Sequence, residues 1–326
     1  MTYTDKYAST AKQFPYRLSK NDPTLCEWII NNDQPFHEPF FDETISRLRY
    51  LDVNQRKFKM VAHIDLLRNL CTGEERPPTA IIFHVSRCGS TLFSQVLNLR
   101  PEHLVLAEVP FFDQLLRLHY KGLAYAPSSC SNLFNAALQL YIQNNATKAN
   151  EVFIKADSWH LHFYPEIRRL FPETPFILLY RHPTEVLRSQ QKRRGIQSVP
   201  GLLEPGIFGF DENEMDNCDL DKYMTSVLDT YFRKMIEIAA TDSNIVLINY
   251  AEGIMTGMQK IAAITNLPFE EGYQRLAMER AGFHAKYPEQ RFAENAEEIS
   301  MPPNLPAVIE LYKQLDNMNV IKATGS

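Results

Sequence analysis

Three groups of residues in this chain have the types and spacing to handle anions and protons. The first is the run Ser86, Arg87, Cys88, Gly89, Ser90, Thr91. An apolar stretch, Ala80 to Val85, breaks off into this polar, small-residue turn. Apolar residues then return at helical spacing, with Phe93, Val96 and Leu97 on one face. A loop entering a helix this way points unpaired backbone N–H groups and the positive end of the helix dipole at one spot, and Gly89 lets the backbone approach a ligand closely. An anion belongs there, a phosphate before others. Arg87 adds a fixed positive charge, and Ser90 and Thr91 add hydroxyl donors. The second group is Arg181, which ends the apolar run Phe176 to Tyr180, with Ser189 about two turns into the helix that Pro183 opens. The pair can converge on one anion, because that is a short reach for a guanidinium arm. The third group stands at predicted strand ends: Glu108 after His103 to Ala107, and Lys155 and Asp157 after Glu151 to Ile154. Open α/β sheets bind ligands at the carboxyl ends of their strands, so a carboxylate or a lysine there is placed for chemistry. Glu108 has a second reading as a cap for the helix near Phe111, and Lys155 as a solvated strand-end lysine.

Positioning these groups takes a scaffold of strands alternating with helices from Ala80 onward, which predicts an α/β fold: a central parallel sheet of four or five strands flanked by helices. Phe176 to Tyr180 and Ile245 to Asn249 are further strands. Helices are expected over Thr91 to Leu99, after Ala126 with the stripe Leu133, Ala137, Leu138 and Tyr141, over Tyr164 to Leu170, and over Leu220 to Ala240. Residues 1–76 are expected to be a mostly helical extension packing on the main domain, 77–326. Its helical pieces are read near Asp22 to Ile30, Asp42 to Tyr50 and Gln55 to Cys71. Its aromatics, Trp28, Phe36, Phe40 and Phe41, either pack or wall an acceptor pocket. Residues 195–220 hold four glycines and two prolines with no sustained period, yet carry Leu202, Leu203, Ile207, Phe208 and Phe210. That makes them a lid or acceptor-binding loop rather than plain disorder.

The loop at Ser86 is not a nucleoside triphosphatase P-loop, which would need Gly at His84 and Lys at Ser90. Instead SRCGSTL, followed about ninety residues later by Arg181 and Ser189 in PFILLYRHPTEVLRSQ, resembles the two phosphate loops of the sulfotransferases that use 3′-phosphoadenosine 5′-phosphosulfate. The resemblance covers roughly residues 78–290 and is specific at these two loops. It implies a P-loop-like sulfotransferase fold, with the 5′-phosphosulfate at Arg87, Cys88, Gly89, Ser90 and Thr91 and the 3′-phosphate at Arg181 and Ser189. It also implies transfer of a sulfuryl group, without a metal, to a hydroxyl or amine of a soluble, small-molecule acceptor, leaving adenosine 3′,5′-bisphosphate. Several branches of the family use a glutamate at the Glu108 position as base. The cytosolic branch has Lys-Thr-His where this chain has Lys155, Ala156 and Asp157, which makes Glu108 and Asp157 rivals for that role, with Glu108 preferred, and keeps Lys155 near the bridging oxygen. The family's basic loop over the nucleotide falls at RAGFHAKYPEQRF, which does not reproduce its basic-Gly pattern; His284, Lys286 and Arg291 are the candidates there for a 3′-phosphate contact, against a surface turn. Tyr250 with Glu252 resembles a tyrosine-acid turn to which no catalysis attaches. The alternatives are an inactive adenosine-bisphosphate-binding regulator and a small-molecule kinase of P-loop type.

Composition sets outer bounds. The chain has 326 residues, 44% apolar and 22% charged, with a formal net charge of −5. That balance argues against a general nucleic-acid or anionic-membrane binder, so any anion site is local. Cys26, Cys71, Cys88, Cys130 and Cys218 are odd in number and form no zinc pattern. Together with a start that lacks an apolar signal segment and the absence of a membrane-length apolar run, they predict reduced thiols, a cytoplasmic location and no membrane partner.

Overall fold

The computed structural model describes residues 12–55, 59–71, 74–122, 124–145, 149–211, 219–282 and 301–324. The described residues begin with strands β1 (Gln13–Leu18) and β2 (Leu25–Ile30), helix α1 (Phe41–Arg49), strand β3 (Met60–His63) and the single turn α2 (Leu67–Leu70). Strands and helices then alternate as β4 (Ala80–His84), α3 (Ser90–Leu97), β5 (His103–Ala107), α4 (Pro110–Leu116), α5 (Pro127–Gln143), β6 (Glu151–Lys155), α6 (Tyr164–Leu170), β7 (Phe176–Tyr180), α7 (Pro183–Lys192), α8 (Leu220–Thr241) and β8 (Ile245–Asn249). Three helices follow, α9 (Gly253–Thr265), α10 (Glu271–Ala281) and α11 (Leu305–Thr324).

The expected α/β architecture is present as a five-stranded sheet of order β5-β6-β4-β7-β8. The pairings of β4 with β6, β4 with β7 and β7 with β8 are all parallel. Every residue of β4 and of β7 is buried, as a parallel sheet covered on both faces requires. That double burial is why these strands read as unbroken apolar runs. With β6 on one side of β4 and β7 on the other, the loop leaving β4 opens at a switch point of the sheet, where ligands of open α/β folds bind.

By its contacts the chain forms two compact units, one of Met1–Pro77 with Pro101–Val152 and the other of Pro78–Arg100 with Phe153–Ser326. In the first, the helices expected over 22–30 and 55–71 are replaced by β2 and by β3 with one turn of α2, and β1, β2 and β3 form an antiparallel sheet. Of the helical pieces expected in this region, the one near Asp42 to Tyr50 forms, as α1. The cause is cross-strand pairing, which local sequence does not display. Glu27 of β2 is buried against β1, where the Tyr16 hydroxyl donates to it at 2.7 Å and Arg17 Nη2 at 2.8 Å, and Lys59 reaches it at 3.2 Å. These partners hold its carboxyl below the usual range against the opposing effect of burial. The aromatics Phe36 and Phe41 pack on each other and on Phe14, and Phe41 also on Tyr141 of α5. Burying one such ring is worth about 1.5–3 kcal/mol and ring–ring geometry about 0.5–1.5, so burial is what holds this cluster.

In the second unit, the described part of the 195–220 loop is packed rather than open. It makes 3-10 turns at Ile196–Ser198 and Pro205–Ile207 and buries Leu203, Ile207 and Phe208. Helix α11 has no counterpart in the sequence reading, because its inward stripe of Leu305, Val308, Tyr312, Leu315, Asp316 and Asn319 turns polar in its last two positions. No described helix is long and apolar enough to cross a membrane.

Candidate anion-binding site

His84, the last residue of β4, sets the course of the first loop. Its Nδ1 accepts the Ser86 N–H at 3.0 Å, so Nε2 carries the proton, which it donates to the Ala156 carbonyl at 3.0 Å. The next residues take left-handed backbone at Ser86 (φ 66°), Arg87 (φ 50°) and Gly89 (φ 78°). For the two non-glycine residues this costs roughly 1–2 kcal/mol each, so the surroundings must impose it. They do so through Ser86, whose Oγ accepts from Gln190 Nε2 at 3.2 Å and from Gln197 Nε2 at 2.8 Å, and Gln190 in turn accepts the Gly195 N–H at 2.8 Å. Cys88, at ordinary negative φ between left-handed Arg87 and Gly89, gives the alternation that turns successive backbone N–H groups toward one point, the concavity that takes anions. Gly89 caps α3, and the N–H groups of Leu92 and Phe93 go to its carbonyl. Ser90 and Thr91, both buried, supply first-turn N–H groups that no intrahelical carbonyl can reach. Cys88 points inward, its thiol donating to the Leu179 carbonyl at 3.6 Å, and burial pushes its pKa up to about 11. That side chain is a plug under the loop rather than a nucleophile.

The second loop meets the first on one aromatic ring. Arg181 donates from Nε to Glu185 Oε2 at 2.7 Å and from Nη1 to the Arg87 carbonyl at 3.3 Å, and its guanidinium carbon lies 4.4 Å from the centre of the Tyr250 ring. A Cβ added to Gly89 would stand 2.6 Å from Cε2 and 2.7 Å from Cδ2 of the same ring. The sequence reading gave Gly89 to close ligand approach and left Tyr250 without a part. The structure makes Tyr250 the floor that joins Gly89 to Arg181, and the glycine is demanded both by its φ and by that ring. Glu185 was also missed, although its i,i+4 spacing from Arg181 was visible in the sequence. With Glu185 43% exposed, the ion pair is worth about 0–1 kcal/mol, so a phosphate can replace it at small cost. Ser189 lies on α7, half-buried, with its carbonyl accepting the Arg193 N–H. Arg87 donates from Nη2 to the Arg193 carbonyl at the end of α7.

Of the strand-end residues, Lys155 is 1% exposed and pairs in register with Ile82 of β4. At that burial it is not a solvated strand-end lysine. Asp157 is buried at the head of the 3-10 turn Ser158–Phe163. His160 answers it there: its Nδ1 accepts the Asp157 N–H at 3.3 Å, its N–H donates to the Asp157 carbonyl at 3.0 Å, and its Nε2 lies 3.7 Å from Oδ2. The Asp-x-x-His spacing was legible and went unread. Glu108, in the other unit, ends β5 in left-handed backbone (φ 49°), and the cap position of α4 is held by Val109. Lys286, with His284 and Arg291, lies outside the described residues.

No protein-family model matches the chain, and no curated protein matches it. Among solved structures it is similar to sulfotransferase STF9 from Mycobacterium avium, at 16% identity over 78% of this chain and 79% of that one, with a TM-score of 0.47. It is similar also to the sulfotransferase domain from the curacin biosynthetic pathway, at 15% identity over 61% of this chain and 77% of that one, with a TM-score of 0.42.

Proposed function

We propose that this chain is a sulfotransferase that moves a sulfuryl group from 3′-phosphoadenosine 5′-phosphosulfate to a hydroxyl or amine of a small-molecule acceptor. The observation that carries the reading is the convergence of two anion-binding segments, about ninety residues apart in sequence, on the Tyr250 ring. A single nucleotide with phosphates at both its 5′ and 3′ positions matches two such segments. The donor supplies an activated sulfuryl group, and the protein's work is to hold the reactants in line and to neutralise charge on the departing phosphate oxygen. In this reading the N–H groups of Cys88, Gly89, Ser90 and Thr91 hold the 5′-phosphate, and Arg181 with Ser189 binds the 3′-phosphate. Lys155 and Arg87 neutralise the bridging oxygen as its bond to sulfur breaks, and a carboxylate takes the proton that the acceptor oxygen loses as its bond to sulfur forms. Glu108 is that base. It follows the carboxyl end of β5 in left-handed backbone, and the carboxyl ends of strands are where open α/β sheets bind their ligands. The free thiols of Cys26, Cys71, Cys88 and Cys130 suit a reducing, cytoplasmic setting for the acceptor.

Calorimetry with adenosine 3′,5′-bisphosphate and adenosine 5′-monophosphate tests the binding half. The bisphosphate is expected to bind more tightly, and Arg181→Ala to cost on the order of 1.5–3 kcal/mol for the bisphosphate alone. Equal affinities in the parent protein would sink the reading. Transfer of radiolabelled sulfate from the donor across a panel of acceptors tests the chemistry. Binding without turnover would instead mark a nucleotide-binding regulator, and nucleoside triphosphate hydrolysis, disfavoured by Ser90 at the lysine position, would mark a kinase.

A further inference from the structure

The two site residues that meet over Gly89 each follow a residue fastened to the C-terminal helix. Arg181 follows Tyr180 and Tyr250 follows Asn249. Asp316 of α11 accepts on Oδ1 from the Tyr180 hydroxyl at 2.7 Å and from Asn249 Nδ2 at 2.8 Å. One turn on, Asn319 donates from Nδ2 to the Tyr180 oxygen at 3.0 Å and to Glu252 Oε1 at 2.7 Å, while its Oδ1 accepts from Lys260 Nζ at 3.0 Å. The orientations are not interchangeable. Lys260 can only donate, which fixes the Asn319 amide, and Asn249 Oδ1 already accepts the Ala251 N–H at 3.1 Å, which fixes the other. Tyr180, Asn249 and Asn319 are all buried.

Apolar residues at these positions would fasten α11 to the sheet at least as well, since buried charged and polar networks are weak sources of net stability. What a fully satisfied network adds is a single permitted arrangement. β7 ends at Tyr180 and β8 at Asn249, so fixing these two side chains fixes the points from which the chain leaves the sheet into Arg181 and Tyr250. We propose that Asp316 and Asn319 are positioning residues for the anion site: through Tyr180 and Asn249 they set the stacked pair Arg181 and Tyr250 that discriminates nucleotides bearing a 3′-phosphate. The inference rests on the function proposed above, and it adds that selectivity for the 3′-phosphate is controlled from α11.

The test is the ratio of affinities for adenosine 3′,5′-bisphosphate over adenosine 5′-monophosphate, measured by calorimetry alongside the melting temperature. Asp316→Ala is expected to lower that ratio by roughly tenfold, in the range of coupling between residues of one network. Asp316→Asn, which keeps an acceptor oxygen for Tyr180 and Asn249, is expected to restore it. Should Asp316→Ala not fold, Tyr180→Phe removes only the hydroxyl through which α11 holds β7 and is expected to lower the ratio likewise. A parent protein that prefers the bisphosphate, with variants that melt lower yet keep the parent ratio, would show that the network is purely structural and overturn the inference. A parent protein without any preference would overturn the proposed function and this inference together.

Discussion

At the scale of single residues, the site is built by constraints that act on one backbone position from several directions. Gly89 shows this most plainly. Its left-handed φ of 78° carries a penalty of roughly 1–2 kcal/mol for any residue with a Cβ, and the Tyr250 ring 2.6 Å from that Cβ adds an overpacking penalty of about 1–3 kcal/mol. Gly89→Ala is therefore expected to destabilise the protein by on the order of 2–5 kcal/mol in urea unfolding, and to weaken nucleotide binding beyond that. Tyr250→Ala in the Gly89→Ala background is expected to return the packing part and leave the φ part, so the two changes will be less than additive in stability. Full additivity would mean that ring and glycine do not meet. The residue types of the loop were legible because phosphate binding needs glycine, hydroxyls and a cation in a short run. Tyr250, Gln190 and Gln197 were not, because each acts across a gap in sequence.

At the scale of elements, the turn Ser158–Phe163, the segment 195–211 and α8 close around one histidine. His162 Nε2 lies 3.2 Å from Thr230 Oγ1, and Thr230 donates its own proton to the Val227 carbonyl at 2.8 Å, so the imidazole is the donor. Its ring packs against Phe208 at 5.6 Å and Tyr231 at 5.6 Å. Burial, with a smaller contribution from the Lys234 charge, pushes its pKa down to about 4. The unfolded chain, with an ordinary histidine near 6.5, binds more protons between these values. Stability is therefore complete above about pH 6.5, falls as the pH drops toward 4, and from this group alone loses up to about 3 kcal/mol. Chemical denaturation of the parent and of His162→Gln across that range checks this. The variant is expected to show a flatter pH dependence, and parallel curves would refute it. The histidine's neighbours were not predictable, because the apolar residues of 195–211 carry no period that says what they cover.

At the scale of the whole molecule, the candidate acid–base groups belong to different compact units, Glu108 to one and Asp157 with Lys155 to the other. Once an acceptor is in hand, Glu108→Gln at saturating donor is expected to lower turnover by about 10²–10⁴, the usual worth of a general base. Asp157→Asn, which disturbs a turn held by His160, is expected to cost at most about tenfold in turnover, with a larger effect on melting temperature. Near-parent rates for the Glu108 variant alongside loss of activity in the Asp157 variant would reverse the assignment.

What the sequence by itself determined is the parallel sheet and the position of the two loops proposed to bind anions. Strands buried on both faces must be continuous apolar runs, and a phosphate loop must be small, polar and cationic, so both write a local signature. β4, β5, β6, β7 and β8 were accordingly readable to within a residue or two. The tertiary structure alone decided that residues 25–30 and 60–63 pair as strands, that Tyr250 floors the site, and that α11 reaches the ends of β7 and β8. In each of these the determining contact joins residues from about thirty to well over a hundred positions apart, and its energy lies in the partner rather than in any pattern of the segment itself.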